Sequence, residues 1–461
     1  MSVRGGRSVR ALTGVAAVAS VLVAPALASA DPAPAAPPAP IVADRSAVGT
    51  PALTEAFNGY VVGALTSGRL ATQAEMDAGM GTNEPFYDEP ALTGAEKPGT
   101  LLKVQPVDIL FSGVKPGKID AYRIMFVTTG RDGVTPEIST GIVMVPDDGT
   151  PADRRKLISY QEANDSVGGY CHPSTQWTGG DPMDGASWSA LGPLALMFGK
   201  GYAVVISDVG NNGDLEPHGV FAGRYAGHTQ LDAIRAATAV DEIGLRTDVP
   251  VGLFGVAGGG VGAAFAAESH ATYAPELNIT ATVLEGMVVD QRTFMRTADG
   301  SVGSGFAFAA LLGLEPKYPE MRIDEKLTPI GKQVADWYRT QCQMPAYFTA
   351  PFVPLKTFFT DGRSPADIPE FQHVYDDNLL GGRAPRSKVL IASCAKDDSP
   401  MSLVPAQDSR DLAARYRAGG TDVTYAPSDC STDRFLTDMY GWGTDLFGMQ
   451  TVDWLDRNVT G

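Results

Sequence analysis

Gly255-Val256-Ala257-Gly258-Gly259 is the stretch of this chain whose spacing bears most directly on chemistry. It follows a short apolar run, Val249 to Phe254, and precedes a run of small residues, Gly260 to Ser269. Apolar strand, glycine turn and helix is the arrangement that lifts a nucleophilic serine above a sheet, with the pattern G-x-S-x-G. Here the central residue is Ala257. A methyl group cannot attack a carbonyl carbon. The frame for acyl transfer is present and its reactive atom is missing. No serine of the chain stands in a displaced G-x-S-x-G. Gly185-Ala186-Ser187 and Gly303-Ser304-Gly305 come nearest, and neither sits between a strand and a helix pattern.

The surrounding pattern predicts the elements that hold this turn. Ala121 to Thr129 and Gly141 to Val145 read as a hairpin, and Lys156 to Tyr160 as a further strand. Trp188 to Phe198 is helix-like, Gly201 to Asp208 a strand, and Leu231 to Val240 a helix. Ile279 to Leu284 follows the glycine turn as a strand. Continuous apolar strands alternating with helices imply a mostly parallel sheet covered on both faces. Residues 290–385 then show no strand pattern and are rich in Phe, Met, Tyr and Pro, which reads as a largely helical cap inserted into the sheet. Lys388 to Ala392 resumes the strands, followed by a helix at Ala406 to Ala418, a strand at Val423 to Tyr425 and a helix at Met449 to Asn458. Ligands of such sheets bind at the carboxyl ends of the strands.

The amino terminus carries an export signal. Arg4, Arg7 and Arg10 precede an Ala/Val/Leu stretch, and Ala28-Ser29-Ala30 is an A-x-A cleavage site, so cleavage is expected after Ala30. Residues 31–45 are Pro- and Ala-rich and read as a disordered leader before one domain over 46–461. The apolar stretch of the signal is interrupted by Gly14 and Pro25, and no later stretch is long enough to span a membrane. The chain has a net charge of −17, and loss of the three signal arginines takes it to −20. Such acidity disfavours nucleic acid and anionic lipid as partners. No C-x-x-C or His/Cys cluster suggests a metal, and no cofactor motif occurs. Four cysteines in an exported chain suggest two disulfides, with three pairings open.

With these residues laid out, the chain resembles the secretory lipase family of fungi and actinobacteria. The matching phrases are Ser159-Tyr160-Gln161 with Asp165-Ser166, Gly201-Tyr202 to Asp208, Ala226-Gly227-His228 with Leu231 to Arg235, the glycine turn, and Tyr273-Ala274-Pro275-Glu276-Leu277-Asn278-Ile279. The resemblance implies a capped α/β-hydrolase fold, ester hydrolysis by a Ser–Asp–His triad, and an acyl chain lying under the cap. It places the serine at Ala257 and the acid at Asp397, and it puts the histidine in the window Ala426 to Asp433, near Asp429. That window holds no histidine, and none occurs after His373. The oxyanion positions fall on Asp165 and the backbone N–H of Gly258. Cys430 stands in the histidine window and Cys394 shortly before Asp397. A bridge between these neighbouring loops is expected, leaving Cys171 for Cys342.

His172 and His218 fall in loops at the ligand end and are candidate replacement bases, although a local hydrogen bond is the plainer role for each. His228 and His270 read as packing or capping residues. Asp165, Asp208, Asp214, Glu216, Glu285, Asp290, Asp397 and Asp429 read as a solvated acidic rim. The leading expectation is a lipase-like protein with a degenerate triad that binds a lipophilic or acyl small molecule without triad hydrolysis. Acid–base chemistry by Asp397 with His172 or His218 is one alternative. Ordinary lipase or esterase activity, if the triad lies elsewhere, is the other.

Overall fold

The structure is a computed structural model that describes residues 37–45, 68, 85–110, 115–163, 167–180, 185–211, 218–219, 221–339, 342–343, 350–399 and 402–460. The expected signal segment and Asp165 lie outside the described residues.

Among the described residues, ten strands form one sheet in the order β1-β2-β3-β4-β6-β5-β7-β8-β9-β10. The central strands are β5 (Leu157–Gln161), β6 (Ala203–Ser207) and β7 (Val251–Val256), and every residue of all three is buried. These are the uninterrupted apolar runs of the sequence, and burial on both faces is what parallel neighbours with helices on each side require. Pairing is parallel from β6 through β5, β7, β8 (Ile279–Glu285) and β9 (Lys388–Cys394) to β10 (Val423–Ser428). The hairpin of β3 (Ile119–Thr129) and β4 (Pro136–Pro146) adds an antiparallel flank.

One face is covered by α3 (Gly223–Thr238) and α4 (Ala257–Tyr273), the other by α2 (Gly185–Gly199) and α13 (Val452–Asn458). The two helices of the first face lie so close that a Cβ on Gly227 would come within 2.8 Å of the Ala266 nitrogen. Leu231, Ile234, Leu253 and Ala266 fill the layer between them and the sheet. On the other face Leu194, Met197 and Leu455 pack on Ile158, Tyr160 and Phe254.

Between β8 and β9 the chain leaves the sheet. Among the described residues this insertion holds five α-helices, several short 3-10 turns and no strand: α5 (Gln291–Ala298), α6 (Ser304–Leu314), α7 (Ile323–Lys326), α8 (Pro329–Tyr338) and α9 (Gln372–Asp377). α6 is buried along its whole length, because its sequence carries no charged residue to face solvent. Most of the insertion's aromatic residues pack with one another, as the edge-to-face pair Phe308–Tyr338 does.

Two elements depart from expectation at the amino-terminal side. Ile41–Val42, expected in the disordered leader, form β1 and pair with Lys103 and Val104 of β2 (Leu101–Val107). Strand pairing through backbone groups does not require buried side chains, and both residues of β1 are exposed. β2 itself has a weak apolar pattern because Lys103 and Gln105 are buried polar residues. The Lys103 ammonium donates to the carbonyl oxygens of Pro85, Phe86 and Asp88.

The cysteines pair as Cys171–Cys342 and Cys394–Cys430, with Cα separations of 5.2 and 5.4 Å. The second bridge closes a loop of 36 residues. Constraining the unfolded chain over such a loop is worth about 4 kcal/mol. The double variant Cys394→Ser/Cys430→Ser is therefore expected to lose about 4 kcal/mol in denaturant unfolding. A loss under about 1 kcal/mol would contradict that role.

Candidate functional site

β7 ends at Val256, and the next residue, Ala257, opens α4 with φ +47°. A left-handed backbone costs a residue with a Cβ roughly 1–2 kcal/mol, so this turn is held by its surroundings. The surroundings are visible at the flanking glycines. A Cβ on Gly255 would sit 2.6 Å from the Ala263 side chain and 2.7 Å from the Gly259 carbonyl oxygen. A Cβ on Gly259 would overlap the Glu162 carbonyl. Two glycines, each two residues from Ala257, are thus required by close backbone approach, which is the physical content of the G-x-x-x-G spacing.

Ala257 and Gly258 line a cavity of about 120 Å³ whose other walls include Phe221, Val288, Phe294 and Phe447. The first-turn N–H groups of α4 have no partner within the helix and carry the positive end of its dipole. Gly258 is among these residues, so its N–H belongs to a set suited to an oxyanion or a carboxylate.

Asp397 is exposed on the loop after β9 and accepts a hydrogen bond from the Ala406 N–H at 2.8 Å, capping the following helix, α10 (Ala406–Ala418). Asp429 is exposed after β10 and accepts from the Ser431 N–H at 3.0 Å. The hydrogen bonds from Ser431 hold its carboxyl below the usual range. Neither carboxylate is among the residues lining the Ala257 cavity. Cys394 does line it, and its bridge to Cys430 ties together the two loops that carry Asp397 and Asp429.

His172 and His218 are buried with ring centroids 3.8 Å apart. His218 places Nδ1 3.0 Å from the Asp208 carbonyl oxygen and Nε2 3.1 Å from that of Asn211. Burial drives the His172 imidazole well below its ordinary pKa, and the neighbouring His218 adds to this. Beneath them Asp208 accepts from the Ser174 N–H at 2.8 Å and the Thr140 hydroxyl at 2.6 Å. Neither imidazole lines the Ala257 cavity. His228 and His270 bond the Gly130 and Leu277 carbonyl oxygens at 3.0 and 2.8 Å.

The expected acidic rim is not uniformly solvated. Asp208 is wholly buried, Asp290 caps α5 through the Arg292 N–H, and Glu285 is 2% exposed at the end of β8. Burial raises the Glu285 carboxyl to about 8. It lines the Ala257 cavity. Composition could not separate it from the solvated acids. Its place as the last residue of an otherwise uncharged strand was the available signal. A larger cleft of about 580 Å³ borders Ser269 and Thr272 at the opposite end of α4. Its arginines include Arg131 and Arg224, which are paired with Glu320 and Asp377, so it offers no oxyanion frame to the elbow.

Sheet, elbow and inserted helices together define a capped α/β-hydrolase fold. The model of the secretory lipase family matches residues 193–457. A Mycobacterium tuberculosis protein named a probable inactive lipase is 31% identical over 356 residues, spanning 75% of this chain and 76% of its own. A secreted triacylglycerol lipase of Malassezia restricta is 26% identical over 355 residues, spanning 74% and 73%. The solved structure of Candida antarctica lipase A in its closed state matches with a TM-score of 0.68 at 22% identity, over 82% of this chain and 87% of that one. The chain belongs to the secretory lipase family.

If the left-handed turn is imposed on Ala257, Ala257→Gly should relieve the Cβ strain at a smaller cost in chain entropy. The expected gain is about 0.5–1 kcal/mol in unfolding free energy. A loss of stability would show that Ala257 is unstrained.

Proposed function

We propose that this protein is an exported lipase-fold protein that binds a lipophilic or acyl small molecule at the elbow cavity without hydrolysing esters by a serine triad. The observation that carries this reading is Ala257. It occupies the left-handed position between the two close-packed glycines and presents a methyl group to the cavity. Loss of a triad nucleophile costs on the order of 10⁶ in turnover, and the empty histidine window removes the base as well. What remains is a binding frame. It consists of the amide of Gly258, the position of Asp165 given by family resemblance, and an apolar wall. The buried imidazoles of His172 and His218, outside that wall, count against acid–base catalysis by either. Export, with cleavage after Ala30, fits the paired cysteines and the secreted relatives.

The purified protein is expected to hydrolyse p-nitrophenyl esters at the background rate and to remain unlabelled by a fluorophosphonate. Robust hydrolysis by the wild type, abolished by a substitution in the cavity wall, would overturn the proposal. Ala257→Ser combined with Asp429→His is expected to gain measurable labelling, because the turn already presents residue 257 to the cavity.

A further inference from the structure

Glu285 is the one ionisable side chain lining the cavity beside Ala257, among the described residues. It is almost wholly removed from solvent. Its Oε1 is hydrogen-bonded to the Thr451 hydroxyl, and that hydroxyl lies 3.0 Å from the Gly448 carbonyl oxygen. The Thr451 hydroxyl donates to Glu285 Oε1 and so favours the carboxylate, but burial favours the neutral carboxyl and outweighs it. Glu285 Oε2 makes no hydrogen bond among the described residues. Glu285 is a cavity-lining residue, so this oxygen is available to the polar group of a ligand held there.

The same cavity contains Gly258, from the amino-terminal turn of α4, whose amides favour an anion. A carboxylate has two oxygens, one for the Glu285 carboxyl and one for those amides. An alcohol has only one.

Building on the ligand-binding reading above, we propose that Glu285 is the head-group receptor of this cavity, and that the ligand is a free long-chain carboxylic acid whose carboxylate shares a proton with Glu285. Its first carbons would lie against Val288, Phe294 and Phe447. The cavity is smaller than the roughly 300–1,000 Å³ of a typical small-molecule site, so the rest of the chain must run out through its mouth.

Binding should then carry a proton signature. Burial raises the free Glu285 carboxyl to about 8. Asp445 on α12 (Met439–Leu446) pushes in the same direction, and is itself paired with Arg434 at 2.6 Å. Tyr160 of β5 faces Glu285 too, and burial keeps its phenol protonated. The adjoining residues of β7 and β9, Val256 and Ala392, carry no charge. From about pH 5 to 8 the receptor is protonated and the ligand ionised whether free or bound, so affinity is flat. Above about 8 the free protein loses the proton that the complex must keep. The dissociation constant then rises about tenfold per pH unit.

The test is calorimetric titration of the full protein with palmitic acid between pH 6 and pH 9.5, beside the alcohol of equal chain length. The wild type should bind the acid with a plateau and then a fall above pH 8, and bind the alcohol without that fall. Glu285→Gln, whose amide donates without titrating, should bind the acid with no fall. Thr451→Val removes a bond that lowers the Glu285 pKa, so it should move the break to higher pH. A flat acid profile in the wild type, or the same fall in Glu285→Gln, overturns the proposal. If neither acid nor alcohol binds, the ligand-binding reading of the cavity fails, and this inference with it.

Discussion

The left-handed turn at Ala257 is the constraint on which the rest of the site depends. It exists because β7 and α4 are packed too tightly at their junction to admit side chains on Gly255 or Gly259. That packing fixes where the first amides of α4 point. It also brings Val256, Ala257 and Gly258 to the wall of one cavity with Glu285 of the next strand. A serine at residue 257 would be presented to that cavity by the same backbone. The chain keeps a strained left-handed backbone at Ala257, and strain held in this way points to a site rather than a plain connection.

The loops after β9 and β10 are built around contacts of their own. In the family pattern Asp397 and the window at Asp429 would hold an acid and a base. In this molecule Asp397 caps the α10 helix, Asp429 closes a tight turn onto Ser431, and the Cys394–Cys430 bridge joins the two loops covalently. A covalent tie does not titrate and transfers no proton. These contacts tie the two loops to each other, and among the described residues Glu285 is the ionisable side chain lining the elbow cavity.

Much of this was legible in the sequence because it rests on local rules. The buried central strands were continuous apolar runs, the elbow was a strand–glycine–helix phrase, and the inserted segment was recognisable by its lack of strand pattern. What was not legible depends on contacts between distant segments. β2 was obscured by Lys103 and Gln105, whose burial is supported by carbonyl groups from elsewhere in the chain. Glu285 and Asp208 read as solvated acids because an acidic residue's burial is set by what folds over it. The positions of His172 and His218, tilted against each other and absent from the cavity wall, follow from the packing of two loops that share no sequence signal.

The most direct measurement of the central claim is a native mass spectrum of the purified protein. The account predicts a noncovalent complex with one acyl lipid, which dissociates on collisional activation to leave the unmodified chain. A covalent acyl adduct would contradict it by revealing a working nucleophile. A protein that stays bare even after incubation with long-chain acids and alcohols would contradict it by showing that the elbow cavity holds nothing.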